Sequence, residues 1–210
     1  MEEQLTKDEL VEAVVKREWN AFDKVKNLGG RADCQDDWNT FSVMRKSQYM
    51  AWPKDLLASF LMDFMEADEK GWNLITEKYG RMMESTAPEE YEAIKGQFPE
   101  CGPKKRAIVE QIAGIQVGWM EEFAREYPFM AGNARSIHAS EDTPYNTSYE
   151  TYLKGELMTY SDRTLGMYGQ WIVELNKEGA NLARMIMENT AVLYGYESLE
   201  AAEEALRKQG

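Results

Sequence analysis

Cysteine, histidine and proline are all scarce in this chain of 210 residues: two, one and six, respectively. Two cysteines, Cys34 and Cys101, cannot make the disulfide framework of a small secreted scaffold. A single histidine excludes the paired Glu-x-x-His elements of a ferritin-like di-iron site. Two cysteines and one histidine far apart in sequence also serve zinc poorly. No stretch approaches the ~18 consecutive apolar residues of a membrane-spanning helix. No phosphate-cradling Gly-x-x-x-x-Gly-Lys-Ser/Thr loop, dinucleotide Gly-x-Gly-x-x-Gly or nucleophile-elbow Gly-x-Ser-x-Gly is present. Cations are short too: 24 Lys and Arg face 37 Asp and Glu, for a net charge of −13. A surface that negative repels phosphate backbones and anionic membranes, so neither nucleic acid nor membrane is an expected partner. The opening Met1-Glu2-Glu3-Gln4 has no basic segment leading into an apolar run, so no signal peptide is read and a cytoplasmic location is expected.

Helix formers dominate what remains, and apolar residues recur at helical rather than alternating spacing. Thr6 and Glu9 form a capping box ahead of Leu10, Val14, Phe22 and Val25. Asn27-Leu28-Gly29-Gly30 ends that helix, because adjacent glycines tolerate positive φ. Asp36 or Asp37 caps the next helix, Pro53 suits a first helical position, and Gly71 ends the helix after it. A long helix from about Lys104 to Tyr127 carries Gly114 and Gly118 on one face, where their propensity cost implies a closely packed backbone. Pro128 stops it, a loop from Phe129 to Asn146 follows, and Thr147 with Glu150 reads as a second capping box. Ser161 and Ser198 read as later caps, and Gly179 as a stop. The aromatic series Trp19, Phe22, Trp38, Phe41 and Trp52 reads as core. The expected fold is all-α, a multi-helix globular domain of about nine or ten helices.

The two halves resemble each other. Adding 108 to each position from Ser47 to Leu74 reaches Gly155 to Leu182 without a gap. It aligns Met50 with Met158, Leu57 with Leu165, Glu66 with Glu174, Gly71 with Gly179, Asn73 with Asn181 and Leu74 with Leu182. Met83-Glu84-Ser85-Thr86 then matches Met187-Glu188-Asn189-Thr190. This suggests one domain over residues 1–210 with an internal duplication: a first repeat over about 8–95, a linker over about 96–103 and a second repeat over about 104–205, related by a pseudo-twofold axis.

Two polar loops hold equivalent places in those repeats, 29–37 and 135–143. The first reads Arg31-x-x-Cys34-x-Asp36-Asp37 and the second Arg135-x-x-His138-x-x-Glu141-Asp142. A common hollow between them would make a site. Cys34, ahead of a helix N-terminus, is a candidate nucleophile. His138 is the only histidine available for acid–base work and a candidate base for it. Asp37 and Glu141 are further proton-transfer candidates. Arg31, Arg45 and Arg135 can grip a carboxylate or phosphate bidentately, with Gln48 and Asp142 beside them as ligand-binding candidates. Structural alternatives stand next to each: ion pairs of the arginines to Asp36, Asp37, Glu141 or Asp142, a gap-filling cysteine, a surface histidine. Glu141, Asp142, Thr143, Glu150 and Glu156 offer oxygen ligands for Mg²⁺ but read better as caps and solvated carboxylates, so no metal site is expected, and the sequence leaves the cofactor unknown.

Arg17-Glu18-Trp19-Asn20, Gly29 to Trp38, Met44-Arg45-Lys46-Ser47-Gln48, Glu77-Lys78-Tyr79 and Ser140-Glu141-Asp142-Thr143 together resemble a bacterial family known as domain of unknown function 4125, over nearly the whole chain. The resemblance implies no activity. Some relatives lie beside or are fused to a nucleotidyltransferase-like domain, which implies a helical accessory role. Helical ribonuclease domains that accompany such transferases space Arg and His by four to six residues, and Arg135-x-x-His138 is too short for that pattern. Two functions are therefore expected in competition: a protein or enzyme taking a small anionic ligand at the two loops, and an interaction module for a nucleotidyltransferase-like partner.

Overall fold

A computed structural model describes residues 5–26 and 30–209. Met1 to Gln4, the predicted stop at Asn27-Leu28-Gly29 and the first residue of the 29–37 loop lie outside the described residues. Among those described, eleven α-helices follow one another with no strand. They are α1 (Lys7–Asp23), α2 (Trp38–Ala51), α3 (Lys54–Glu69), α4 (Leu74–Thr86), α5 (Pro88–Ile94), α6 (Pro103–Glu126), α7 (Pro128–Gly132), α8 (Tyr149–Thr159), α9 (Asp162–Glu178), α10 (Leu182–Leu193) and α11 (Leu199–Arg207). None is long and apolar enough to cross a membrane.

Local chemistry sets the ends. Thr6 and Glu9 make the expected capping box on α1, a device worth about 1 kcal/mol. Asp37, Ser161 and Ser198 cap α2, α9 and α11. Gly179 closes α9 at φ +70°, a left-handed conformation that costs glycine nothing. Four expectations need correction. Pro53 caps α3 rather than opening it. The cap of α8 is Ser148, one residue beyond Thr147, while Glu150 accepts the Ala139 amide. The 129–146 segment holds α7 and a short 3₁₀ turn, Ala139–Glu141, because Pro128 starts a helix as readily as it stops one. Finally, a Cβ at Gly114 or Gly118 would meet nothing within 4 Å, so no backbone packs there. The close approaches are elsewhere. A Cβ on Gly155 would lie 2.8 Å from Met82 Cγ and 3.1 Å from the Lys78 carbonyl oxygen, and one on Gly80 would enter the Phe98 ring.

The helices share one apolar core. Trp52 is its centre, fully buried and ringed by Tyr49, Phe60, Tyr160, Tyr168 and Trp171. Trp19, Phe22, Trp38 and Phe41 form a second aromatic group between α1 and α2. Contacts between the halves cross over, with α4 against α8 and α2 against α10. Asn73 and Asn181 cap α4 and α10, and each donates a side-chain hydrogen bond to a carbonyl, of Ala21 on α1 and of Trp119 on α6. Gln48 and Glu156, 108 positions apart, hydrogen-bond to each other. Trp52 and Tyr160, separated by the same interval, have ring centroids 6.1 Å apart.

Candidate functional site

Four helices bury charge at one point. Glu18 on α1 is 2% exposed, Arg45 on α2 7%, Lys78 on α4 2% and Glu156 on α8 4%. Each stands on its helix's apolar stripe, Glu18 between Val14 and Phe22 and Lys78 between Leu74 and Met82, so packing the stripe carries the charge inward. Arg45 donates from Nε to Glu18 Oε2 at 2.7 Å and from Nη2 to Glu156 Oε2 at 3.1 Å. Lys78 Nζ donates to the same Glu156 oxygen at 2.8 Å. Neutral groups complete the set. The Tyr49 hydroxyl accepts from Arg45 at 2.6 Å and donates to Glu18 at 2.8 Å. Gln48 accepts from Arg45 at 2.8 Å and donates to Glu156 Oε1 at 3.0 Å. The Tyr160 hydroxyl donates to that oxygen as well, at 3.0 Å. Arg45, Gln48 and Tyr49 are i, i+3 and i+4, which puts all three on one side of α2.

Two cations balance two carboxylates, the condition under which charge survives burial. Burial by itself would push the Glu156 carboxyl up; Arg45 and Lys78 outweigh it and hold that group well below the usual carboxylate range. Burial would lower Lys78, and Glu156 more than restores it, so the ammonium is held above its ordinary value. The Tyr49 and Tyr160 phenols are pushed well up, chiefly by burial, and stay protonated donors.

The network reaches the surface through the half-buried Tyr152. Lys78 Nζ donates to its hydroxyl at 2.6 Å and lies 3.9 Å from its ring centroid. The Arg135 guanidinium lies 5.0 Å from the same centroid, a cation–π arrangement. Arg135 is exposed and donates to the Thr147 carbonyl at 3.2 Å, but it has no carboxylate partner among the described residues. Burial raises the neighbouring Tyr79 phenol, and Tyr152 and Cys34 add to the effect. The second polar loop therefore meets the network at Tyr152, through Arg135.

Other expected site residues have local partners. Arg31 binds Asp23 at 2.6 Å and Asp36 at 2.9 Å, and donates to the Gln35 carbonyl. Asp37 accepts the Thr40 amide. Cys34 is exposed and unbridged. His138 Nε2 faces Glu121 at 3.2 Å rather than a thiol. Glu141 accepts the His138 amide, and Asp142 accepts from Ser85, Thr151 and the Ser148 amide. With Glu156 inside the network and Asp142 and Glu150 turned to local donors, these acids do not converge. Among the described residues no group of three or more His, Cys, Asp and Glu is placed to hold a metal ion.

The network members Glu18, Tyr49, Lys78, Tyr152 and Tyr160 escape a reading that looks for chemistry in loops. Their signal is a charged residue on an apolar stripe, and the i, i+4, i+8 series Tyr152, Glu156, Tyr160. No curated protein and no solved structure matches the chain. A family model described as "Protein of unknown function (DUF4125)" matches residues 8–204, nearly the whole length, and the chain belongs to that family.

Proposed function

We propose that this chain is a cytoplasmic small-molecule-binding protein, or an enzyme, acting on an anionic metabolite that it takes at the Tyr152 mouth of the buried network. The observation that carries this reading is Arg135, a guanidinium without a carboxylate partner among the described residues of a chain of net charge −13, stacked on the ring that also holds Lys78. A buried, pre-organised set of charges behind such a mouth is costly for folding alone, since apolar residues of equal volume would pack as well. Arg135 would meet the anion and Lys78 and Tyr152 would orient it. Arg45, Gln48 and Glu156 act behind them as positioning residues, and Cys34 is the candidate nucleophile. The mouth draws on both halves, which we read as copies of one ancestral unit related by a pseudo-twofold axis passing near Gln48 and Glu156.

Thermal-shift screening with nucleotides, sugar phosphates and di- and tricarboxylates tests the proposal. A ligand at about 100 times its Kd adds about 2.7 kcal/mol, several degrees for a chain of this size. That shift should persist in Arg31→Ala and vanish in Arg135→Ala. A null screen, or full binding by Arg135→Ala, contradicts the proposal. The competing reading, a helical module for a nucleotidyltransferase-like protein, draws on the exposed Val192, Leu193 and Tyr194 at the end of α10. Stoichiometric co-purification with such a protein, abolished by Tyr194→Glu and indifferent to Arg135→Ala, would favour it.

A further inference from the structure

A separate cleft opens where the end of α3, the start of α4, residues 99–101 and the α8–α9 junction meet. Its volume is about 390 Å³, within the range that holds a small metabolite. Trp72, Leu74 and Met158 supply apolar wall. Its ionised groups divide into spent and unspent. Asp63 is buried and satisfied by Arg163 and the Ser161 amide. Glu66 also faces Arg163, and Lys105 donates to the Tyr160 carbonyl. Glu77 holds the Trp72 indole N–H and the Arg81 guanidinium.

The unspent groups are Lys70, Glu100 and one edge of Arg81. Arg81 is 5% exposed, and its Nε and Nη2 are used by Glu77 and the Pro99 carbonyl. Its Nη1, with two hydrogens, has no partner among the described residues, and neither do the Lys70 ammonium and the Glu100 carboxylate. The cleft thus presents the open edge of an otherwise buried guanidinium, whose carbon lies 5.6 Å from the Phe98 ring centroid, with a second cation, one carboxylate unpaired among the described residues, and an apolar wall. A dianionic phosphate would face four carboxylates there, whereas a molecule carrying both signs adds no net charge.

We infer that this cleft binds a free α-amino acid with an apolar side chain. The carboxylate is taken by Arg81 Nη1 and Lys70, the ammonium by Glu100, and the side chain lies against Trp72, Leu74 and Met158. This site is independent of the Tyr152 mouth and of Arg135. Isothermal titration of the full chain with L-leucine, L-methionine and L-phenylalanine tests it, with 4-methylpentanoate as a leucine lacking its amine. Lys70 and Glu100 are exposed, so Lys70→Gln and Glu100→Gln leave the fold intact. The expected result is saturable binding of at least one amino acid, weakened about tenfold or more in each variant, the scale of one lost hydrogen bond to a charged group. The Glu100→Gln loss should be absent for 4-methylpentanoate. Failure of all three amino acids to saturate below ~10 mM overturns the inference. So does equal affinity for leucine and its amine-free analogue, or unchanged binding in both variants.

Discussion

Arg31 and Arg45 each hold two carboxylates at hydrogen-bond distance, yet they do different work. Arg31 bridges Asp23 and Asp36 at the surface, with 44% of its side chain exposed, and joins the end of α1 to the turn that follows. Arg45 bridges Glu18 and Glu156 in the interior and joins α1 and α2 to α8, which is distant from them in sequence. Solvent screens the first set and desolvation sharpens the second. The lesson is that burial decides whether an ion pair fixes local geometry or specifies how whole helices meet. Arg135 differs from both: it is exposed and, among the described residues, has no carboxylate partner for a ligand to displace.

The widest separation between the two regions should come from removing one carboxylate in each. Glu156→Leu strands Arg45 and Lys78 without their shared acceptor and should cost about 3–5 kcal/mol in urea unfolding. Asp36→Ala should cost under about 1 kcal/mol. A Lys78→Met, Glu156→Leu double variant should recover part of the loss, because it removes opposite charges together. Equal effects of Glu156→Leu and Asp36→Ala would erase the distinction.

Packing around the network gives the next contrast. Gly155→Ala pushes a methyl against Met82 and the Lys78 backbone and should destabilise by about 1–3 kcal/mol. Gly114→Ala, with open space around it, should stabilise by up to about 1 kcal/mol through helix propensity. Thermal denaturation of the two variants reads the difference, and its sign is the test.

A smaller effect appears in acid. The folded chain holds Glu156 below the ordinary carboxylate value near 4.5, so the unfolded state takes up that proton first. Its contribution is complete above about pH 4.5 and erodes as pH falls toward the folded value. Lys78 is the mirror case: raised in the folded state, it contributes fully below its ordinary 10.5 and loses that contribution as pH climbs beyond it. The stability profile of the wild type should therefore slope down at both ends, and Glu156→Leu should flatten both limbs. Limbs unchanged in Glu156→Leu would show that the network is not the source.

The helical architecture was legible because caps and stops act locally. Thr6 with Glu9, Ser161, Ser198 and Gly179 do in the structure what their residue types dictate. Thr147 misled because Ser148 beside it offers the same hydroxyl, and only the turn preceding α8 decides between them. Gly114 and Gly118 misled for a related reason: helix propensity reports that a glycine is costly without saying what it faces. Loop residues such as Arg31 and Asp37 were visible as polar, but their acceptors and donors lie within eight residues, so they need no distant partner. Glu18 and Lys78 were the opposite, ordinary charged residues in sequence whose meaning depends on which helices cross. The hydrogen bond between Gln48 and Glu156, 108 positions apart on different helices, became visible only once those helices were seen to cross.

The central claim is that Arg135 is held at the Tyr152 mouth for an anion, and a two-dimensional NMR titration of uniformly labelled chain addresses it most directly. Adding the best anionic hit of the thermal screen should shift the Arg135, Tyr152 and Lys78 resonances saturably, leave those of Arg31 in place, and produce no shifts in folded Arg135→Ala. Shifts centred on Arg31, or a titration that Arg135→Ala reproduces, would contradict it.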